Sequence, residues 1–285
     1  MRLRATKFMV FNAAAALVGL AALVTAVRTV LMPAGLAPCS ERYHSMTAFA
    51  LERDGTVLTT AELQARLGGR DLGVMDNVAI GRMPDAPAPL AMTVALHHST
   101  TSAQGMTASK GGVAFPWEPR VLQGKASACL SYHVLFPAGF DFQREGALPG
   151  IRGMDGNDQD KFLVRLAWRS KGGGSVSINV TDKGTTRAVT AERDGFTFPS
   201  GKWVKIEQEV VLNSPTTTDG IARVWVDGWL AIDRRDVVYR TKPDVVISSV
   251  SVDAFYGSRP DEASATAGKD AKATKISLTP FEVRW

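Results

Sequence analysis

The sequence has few of the residues and motifs on which most catalytic and cofactor sites depend. It contains only two cysteines and four histidines in 285 residues, and the histidines lack metal-ligand spacing with cysteines or carboxylates. The G-x-S-x-G nucleophile elbow, the phosphate-binding loop and the dinucleotide fingerprint are also missing. We therefore expect no metal and no cofactor.

Excess positive charge is also scarce outside the N-terminus. Of the 33 basic residues, four lie in residues 1–32, which contain no acid, so 29 basic residues face 28 acidic ones in the rest of the chain. The basic pI therefore gives no support for nucleic-acid binding, and we expect no nucleic-acid partner.

The N-terminus carries the long apolar run that the rest of the chain lacks. Arg2, Arg4 and Lys7 precede the uncharged stretch Phe8–Val27, which is long enough to cross a bilayer as a helix. Residues 1–32 are therefore predicted to be a signal anchor or a cleaved signal peptide. Both interpretations place the protein in the periplasm or outside the cell, held in the membrane by residues 8–27 or secreted after cleavage.

The remainder divides into a connector, residues 33–58, and one domain, residues 59–285. A short amphipathic helix is predicted over Thr59–Leu67, with Thr59 or Thr60 as its cap. From Val113 onward, short alternating segments separated by turns, such as Asp227–Gly228, predict strands. The expected fold is mainly β: an antiparallel β-sandwich or jelly roll with a short N-terminal helix, preceded by one membrane-spanning or signal helix.

Export makes a disulfide between Cys39 and Cys129 a candidate, because oxidising compartments preserve disulfides. The alternative is a buried Cys129 and a free Cys39. Sequence alone leaves both open. The pair Glu207 and Glu209 raises the alternative of a glycosidase carboxylate pair, but both residues are expected on a solvated surface.

The stretch from Ala128 to Val180 contains the strands most suited to a ligand. In Lys161–Arg169, alternation places Arg165 on the face opposite Trp168, which is expected in the core. The next strand presents Ser177 and Asn179 on one face. An arginine among apolar neighbours needs an anionic or hydrogen-bonding partner, which is either a ligand or an internal acid.

Several segments of this region and beyond resemble polysaccharide lyase family 14, from Lys110 to the C-terminus. They are GGVAFPW (Gly111–Trp117), ACLSYHVLFPAGFDF (Ala128–Phe142), LPGI (Leu148–Ile151), FLVRLAWR (Phe162–Arg169), GKWVKIEQEVVLN (Gly201–Asn213) and VWVDG (Val224–Gly228). The family includes alginate and glucuronan lyases with a β-jelly-roll fold. The resemblance implies an acidic polysaccharide lying across the concave sheet and cut by β-elimination.

The resemblance also indicates which catalytic groups have been replaced. Active members use a lysine in a GGKLPG-like segment, a Ser-x-Arg on one strand and a Tyr-x-Tyr on the next. Here Ala147 stands in place of the lysine, Leu163-Val164-Arg165 keeps only the arginine, and Ser177-Ile178-Asn179 replaces the tyrosines. Alanine and leucine side chains transfer no protons, so glycan binding is favoured over turnover.

Three functions remain open at the level of sequence. The first is binding of a uronate-containing polysaccharide through Arg165, Asn179, Ser177 and Arg152. The second is an active lyase (a carbon–oxygen lyase) with substituted catalytic groups, His133, Arg165 and Tyr256, because an imidazole titrates near neutral pH. The third is a structural protein of the cell envelope.

Overall fold

A computed structural model describes residues 35–68, 73–96, 111–143, 145–256 and 274–285. The chain divides into two compact units, Met1–Ala37 and Pro38–Trp285. The predicted membrane segment, residues 8–27, lies outside the described residues. Within the described ranges, no helix combines the length and the apolar character needed to span a bilayer.

Two antiparallel sheets make up the second unit, with the strands numbered in chain order. The larger sheet contains β1 (Met46–Ala48), β4 (Val78–Gly81), β5 (Ala91–Leu96), β7 (Ser127–Leu135), β12 (Trp203–Val211), β13 (Gly220–Val226), β14 (Trp229–Val237), β16 (Thr274–Leu278) and β17 (Glu282–Arg284). The smaller sheet contains β6 (Val113–Trp117), β8 (Gly146–Met154), β9 (Lys161–Trp168), β10 (Gly173–Asp182), β11 (Thr185–Thr197) and β15 (Val246–Tyr256). A separate hairpin is formed by β2 (Glu52–Arg53) and β3 (Thr56–Val57).

The strand order of each sheet shows which strands are neighbours. The nine-stranded sheet runs β14-β13-β12-β7-β16-β5-β4, with β17 paired to both β7 and β1. The six-stranded sheet runs β11-β10-β9-β8-β15-β6. This mainly antiparallel β-sandwich confirms the predicted fold class.

Alternation along the strands explains why the two sheets pack face to face. In β9, Phe162, Val164, Leu166 and Trp168 are all buried in one core that also contains the inward residues of β7. Burying one face of each sheet removes its apolar side chains from water, which is the main favourable term in folding. Each sheet therefore keeps one inner and one outer face, and Trp168 lies in the core as predicted.

The described residues also contain three short α-helices, all before β4 in the chain: α1 (Cys39–Arg42), α2 (Thr60–Arg66) and α3 (Val74–Asn77). Helix α2 begins after Thr59, whose hydroxyl accepts a hydrogen bond from the backbone N–H of Glu62. The Glu62 carboxylate accepts from the backbone N–H of Thr59 in return, which completes a capping box.

Residues 38–58, which the sequence assigned to a connector, belong to the same compact unit as the sandwich. Strand β1 pairs with β17, and Phe49 and Leu51 are buried in the core. Sequence alternation was too short here to predict a strand, because β1 has only three residues. Its pairing with the C-terminal strand is a long-range contact.

Cys39 and Cys129 are joined in a disulfide. The bridge attaches α1 to the outer face of β7 and packs against Trp225 of β13. Of the two alternatives that the sequence left open, the described structure therefore has the bridged one.

The segment beginning at α1 also covers Glu207 and Glu209, whose predicted exposure is wrong. Both residues are about 1% exposed. Glu207 accepts a hydrogen bond from the backbone N–H of Ser40 and pairs with Lys205, while Glu209 lies 2.8 Å from an Arg42 nitrogen. Strand alternation correctly predicted that both carboxylates point away from the core, but it gave no information about the segment that covers them.

Candidate functional site

A groove crosses the outer face of the six-stranded sheet. Its volume is about 600 Å³, and every strand of the sheet contributes to it. Six strands at the usual spacing extend over about 24 Å, so the groove suits an extended ligand lying across the strands. The polar and charged side chains that line it are Arg152, Lys161, Arg165, Asn179, Thr181, Thr186, Ser251 and Asp253.

The predicted binding residues lie together on this outer face. Arg165 of β9 is directly opposite Ser177 of β10, and Leu163 is opposite Asn179. The Asn179 amide donates a hydrogen bond to the Ser177 hydroxyl over 3.2 Å. Arg152 of β8 is opposite Leu163, so it lies one strand away on the same face.

Positive charge dominates the groove lining. Three basic side chains line it, Arg152, Lys161 and Arg165, against one acidic side chain, Asp253. At the edge, the exposed carboxylate of Asp158 lies 3.0 Å from Arg152 and 3.5 Å from Lys161. Such solvent-exposed pairs contribute little and exchange readily with water or a ligand. The groove is therefore suited to an anionic ligand.

Arg165 has an internal partner at the base of the groove. Its Nη1 lies 3.3 Å from Oδ2 of Asp253, and its guanidinium lies over the Phe255 ring, 5.4 Å from the centroid. The Asp253 carboxylate also accepts a hydrogen bond from Ser251 over 3.1 Å. Burial raises the pKa of Asp253, whereas Arg165 and Ser251 act in the opposite direction. The Arg165 side chain is still 25% exposed, so it also faces the groove.

Sequence reasoning missed Asp253. Its signal was the alternation of Ser251, Asp253 and Phe255 in β15, which places an acid on an outer face. Nothing local indicated that β15 is the neighbour of β8, the strand that separates it from Arg165 on β9. The question of an internal or a ligand partner for Arg165 therefore depended on strand order.

A bulge in β8 shapes the base of the groove. Between Ala147 and Gly150, two residues of β8 face one residue of β9. The buried Gln208 of β12 donates a hydrogen bond across the core to the carbonyl of Val164 over 2.9 Å. Tyr132 of β7 donates likewise to the carbonyl of Pro149 over 3.3 Å. Side chains of the larger sheet thus hold the irregular backbone beneath the groove.

Apolar residues neighbour Ala147 of β8 on both adjacent strands. Ala147 lies on the outer face, opposite Ala167 of β9 and Phe255 of β15, and it is buried. Leu163 lies four residues before Ala167 on β9 and lines the groove opposite Arg152. Neither the Ala147 nor the Leu163 side chain can accept or donate a proton.

His133 is not near Arg165, so their predicted grouping is wrong. His133 lies on β7 of the nine-stranded sheet and alternates with the core residues Tyr132 and Val134. It therefore faces outward on the opposite side of the sandwich. Burial lowers the pKa of its imidazole and Lys205 lowers it further, while neighbouring carboxylates act in the opposite direction.

Tyr256 is not near the groove either. Its ring is buried in the core, against Phe140 and Trp168. As the alternation of β15 requires, it points inward while Phe255 points outward. A buried phenol between two sheets has no access to a polysaccharide.

The comparisons with known proteins agree with this geometry. Residues 87–272, more than half of the chain, match the family model of polysaccharide lyase 14. The chain belongs to this family. No curated protein sequence matches it.

Solved structures of polysaccharide lyases share the fold of this family member at low sequence identity. The marine PL-14 alginate lyase from Aplysia kurodai is 19% identical with a TM-score of 0.59, covering 73% of this chain and 87% of that one. The alginate lyase vAL-1 from Chlorella virus is 18% identical with a TM-score of 0.60, covering 84% and 98%. The endo-β-1,4-glucuronan lyase from the fungus Trichoderma reesei is 11% identical with a TM-score of 0.53, covering 73% and 86%.

Proposed function

We propose that this polysaccharide lyase 14 family member binds a uronate-containing polysaccharide in the groove of its six-stranded sheet. The observation that carries the proposal is the groove itself, which crosses all six strands and is lined by Arg152, Lys161 and Arg165. Each uronate residue carries a carboxylate, and arginine is suited to carboxylates through paired hydrogen bonds. The names of the similar structures, which are alginate and glucuronan lyases, support the same class of ligand.

Binding is favoured over turnover because of the side chains that occupy the family's acid–base positions. A β-elimination needs a base for the C5 proton and an acid for the departing oxygen. Ala147 and Leu163 supply neither, and an unassisted Ser177 hydroxyl is a poor base. Retained lyase activity is the second candidate, and Asp253 favours it because it is the one carboxylate among the described residues that line the groove.

A binding and turnover assay on the full-length protein distinguishes these functions. Alginate, glucuronan and a neutral glucan are titrated by calorimetry, and the absorbance of the unsaturated elimination product is followed in parallel. We expect the polyuronates to bind without product, and Arg165→Ala to weaken binding at least tenfold. His133→Ala is the matched control, because His133 lies on the other sheet, and it leaves the affinity unchanged.

Each alternative has its own result in this assay. Product that disappears in Asp253→Asn identifies an active lyase instead. The absence of both binding and product contradicts the glycan function and favours a structural role in the envelope. Equal affinity for the neutral glucan contradicts recognition through uronate carboxylates.

We also propose that the protein works outside the cytoplasm, anchored by residues 8–27 or released after cleavage. The basic residues before the apolar run support this, as does the Cys39–Cys129 disulfide, since disulfides persist in oxidising compartments. Cell fractionation with N-terminal sequencing tests it. An intact chain in the membrane fraction indicates an anchor, and a soluble chain that starts near residue 33 indicates cleavage. Recovery in the cytoplasm with reduced cysteines contradicts the proposal.

A further inference from the structure

Asp253 is a buried carboxylate at the base of the groove that the family resemblance does not account for. Its side chain is 4% exposed, and it contacts Arg165 and Ser251. A buried carboxylate is costly unless it is paired and hydrogen-bonded. Asp253 lies in the interval of β15 where the pairing with β8 shifts register, between Ser251 and Phe255.

The Arg165–Asp253 pair spans an entire strand. Arg165 is on β9 and Asp253 is on β15, with β8 between them. Two strand spacings amount to about 9.5 Å, so the arginine side chain must extend across β8 to reach the carboxylate. The residue opposite Arg165 in β8 is Gly150. A Cβ atom there would lie 2.6 Å from the Arg165 Cα and 2.8 Å from its Cβ.

This arrangement fixes the direction of the Arg165 side chain. Asp253 draws the guanidinium toward β15 and away from Ser177, the β10 residue directly opposite Arg165. Arg152 lies two residues after Gly150 on β8, so it projects from the same face. Arg165 is directly opposite Gly150, and Arg152 is opposite Leu163, the next residue of β9 on this face, where its guanidinium also lies 3.0 Å from Asp158. Arg152 is 29% exposed and Arg165 is 25% exposed, so both reach the open groove.

We propose that Asp253 positions Arg165 for ligand binding, so that Arg165 and Arg152 share one uronate carboxylate above Gly150. A guanidinium has five N–H donors, and Asp253 accepts a hydrogen bond from one of them, at Nη1 of Arg165. Asp253 itself does not touch the ligand; it is a positioning residue. The inference rests on the proposed glycan-binding function, which it deepens by locating one carboxylate subsite.

A double-mutant cycle on the full-length protein tests this role. The dissociation constant for an alginate or glucuronan oligosaccharide is measured by calorimetry at constant salt for wild type, Asp253→Ala, Arg165→Ala and the double variant. If Asp253 acts through Arg165, each single variant binds at least tenfold more weakly. The double variant then binds no more weakly than Arg165→Ala alone.

Two further variants separate positioning from folding. Asp160→Ala removes another buried carboxylate, one that pairs with Lys242 and does not line the groove, and it leaves the affinity unchanged. Asp253→Asn keeps the size of the side chain and one acceptor oxygen for Arg165, so it weakens binding less than Asp253→Ala does. If Asp253→Ala fails to fold, Asp253→Asn replaces it in the cycle with the same expectation of non-additivity.

The outcomes distinguish this inference from the function on which it rests. A wild-type protein that binds no polyuronate overturns both. If wild type binds but the fold-losses of affinity in the two single variants multiply in the double variant, only the positioning role is overturned, because the two residues then act independently. An unchanged affinity of the Asp253→Ala variant also overturns the positioning role.

Discussion

Removing the Cys39–Cys129 disulfide tests how the N-terminal segment is attached to the sandwich. The perturbation is the double variant Cys39→Ala/Cys129→Ala. The cysteines are 90 residues apart, and the loop-entropy relation gives about 4.6 kcal/mol of stabilisation for a loop of that length. For a domain of this size that corresponds to a Tm lower by roughly 10 to 18 °C.

Urea denaturation followed by circular dichroism measures this loss, with reduced wild type as a second sample. Hydrogen exchange shows which part of the chain loses stability. We expect the backbone amide of Ser40, which donates a hydrogen bond to Glu207, to lose protection from exchange. Polyuronate binding, measured well below the Tm, should not change, because the disulfide lies on the outer face of the other sheet. A loss of stability below about 1 kcal/mol would refute the reasoning. Impaired binding by a folded variant would refute the independence of the two faces.

The remaining predictions concern the base of the groove. Gln208→Met leaves the Val164 carbonyl without its donor and should lower the free energy of unfolding by about 1–3 kcal/mol, measured in urea; an unchanged value contradicts a supporting role. Gly150→Ala should abolish folding or glycan binding, because its Cβ would lie 2.1 Å from the Val164 carbonyl oxygen; wild-type affinity would show that the strands can separate there. Burial raises the pKa of Asp253, so the folded state holds its proton more tightly than the unfolded state and this group favours folding more as the pH falls. Wild type should therefore gain stability relative to Asp253→Asn between pH 7 and pH 4, and a constant difference would contradict the raised pKa.

Local patterns were sufficient to predict β9 and β10, two of the strands that form the groove. Arg165 projects opposite Trp168 because a strand has a period of two, and that relation holds wherever the strand lies in a sheet. Local sequence also placed the helix cap at Thr59 or Thr60, and Thr59 caps the helix, since a cap contacts residues only three positions away. These features depend on backbone geometry within one element.

Long-range pairings were not predictable in the same way. Alternation placed His133, Glu207 and Arg165 on strand faces, but a face pattern does not say which sheet a strand joins. His133 was consequently grouped with Arg165, although the sandwich separates them. Glu207 was expected in solvent, although a segment more than 160 residues away in sequence covers it.

By itself, the sequence determined the fold class and the family motifs, because each is written in the identity or spacing of nearby residues. The tertiary structure alone decided that Cys39 bonds to Cys129 and that Arg165 reaches Asp253 across Gly150. These contacts depend on strand order and register, which arise when two sheets bury a common core. They therefore have no counterpart in any single segment of the chain.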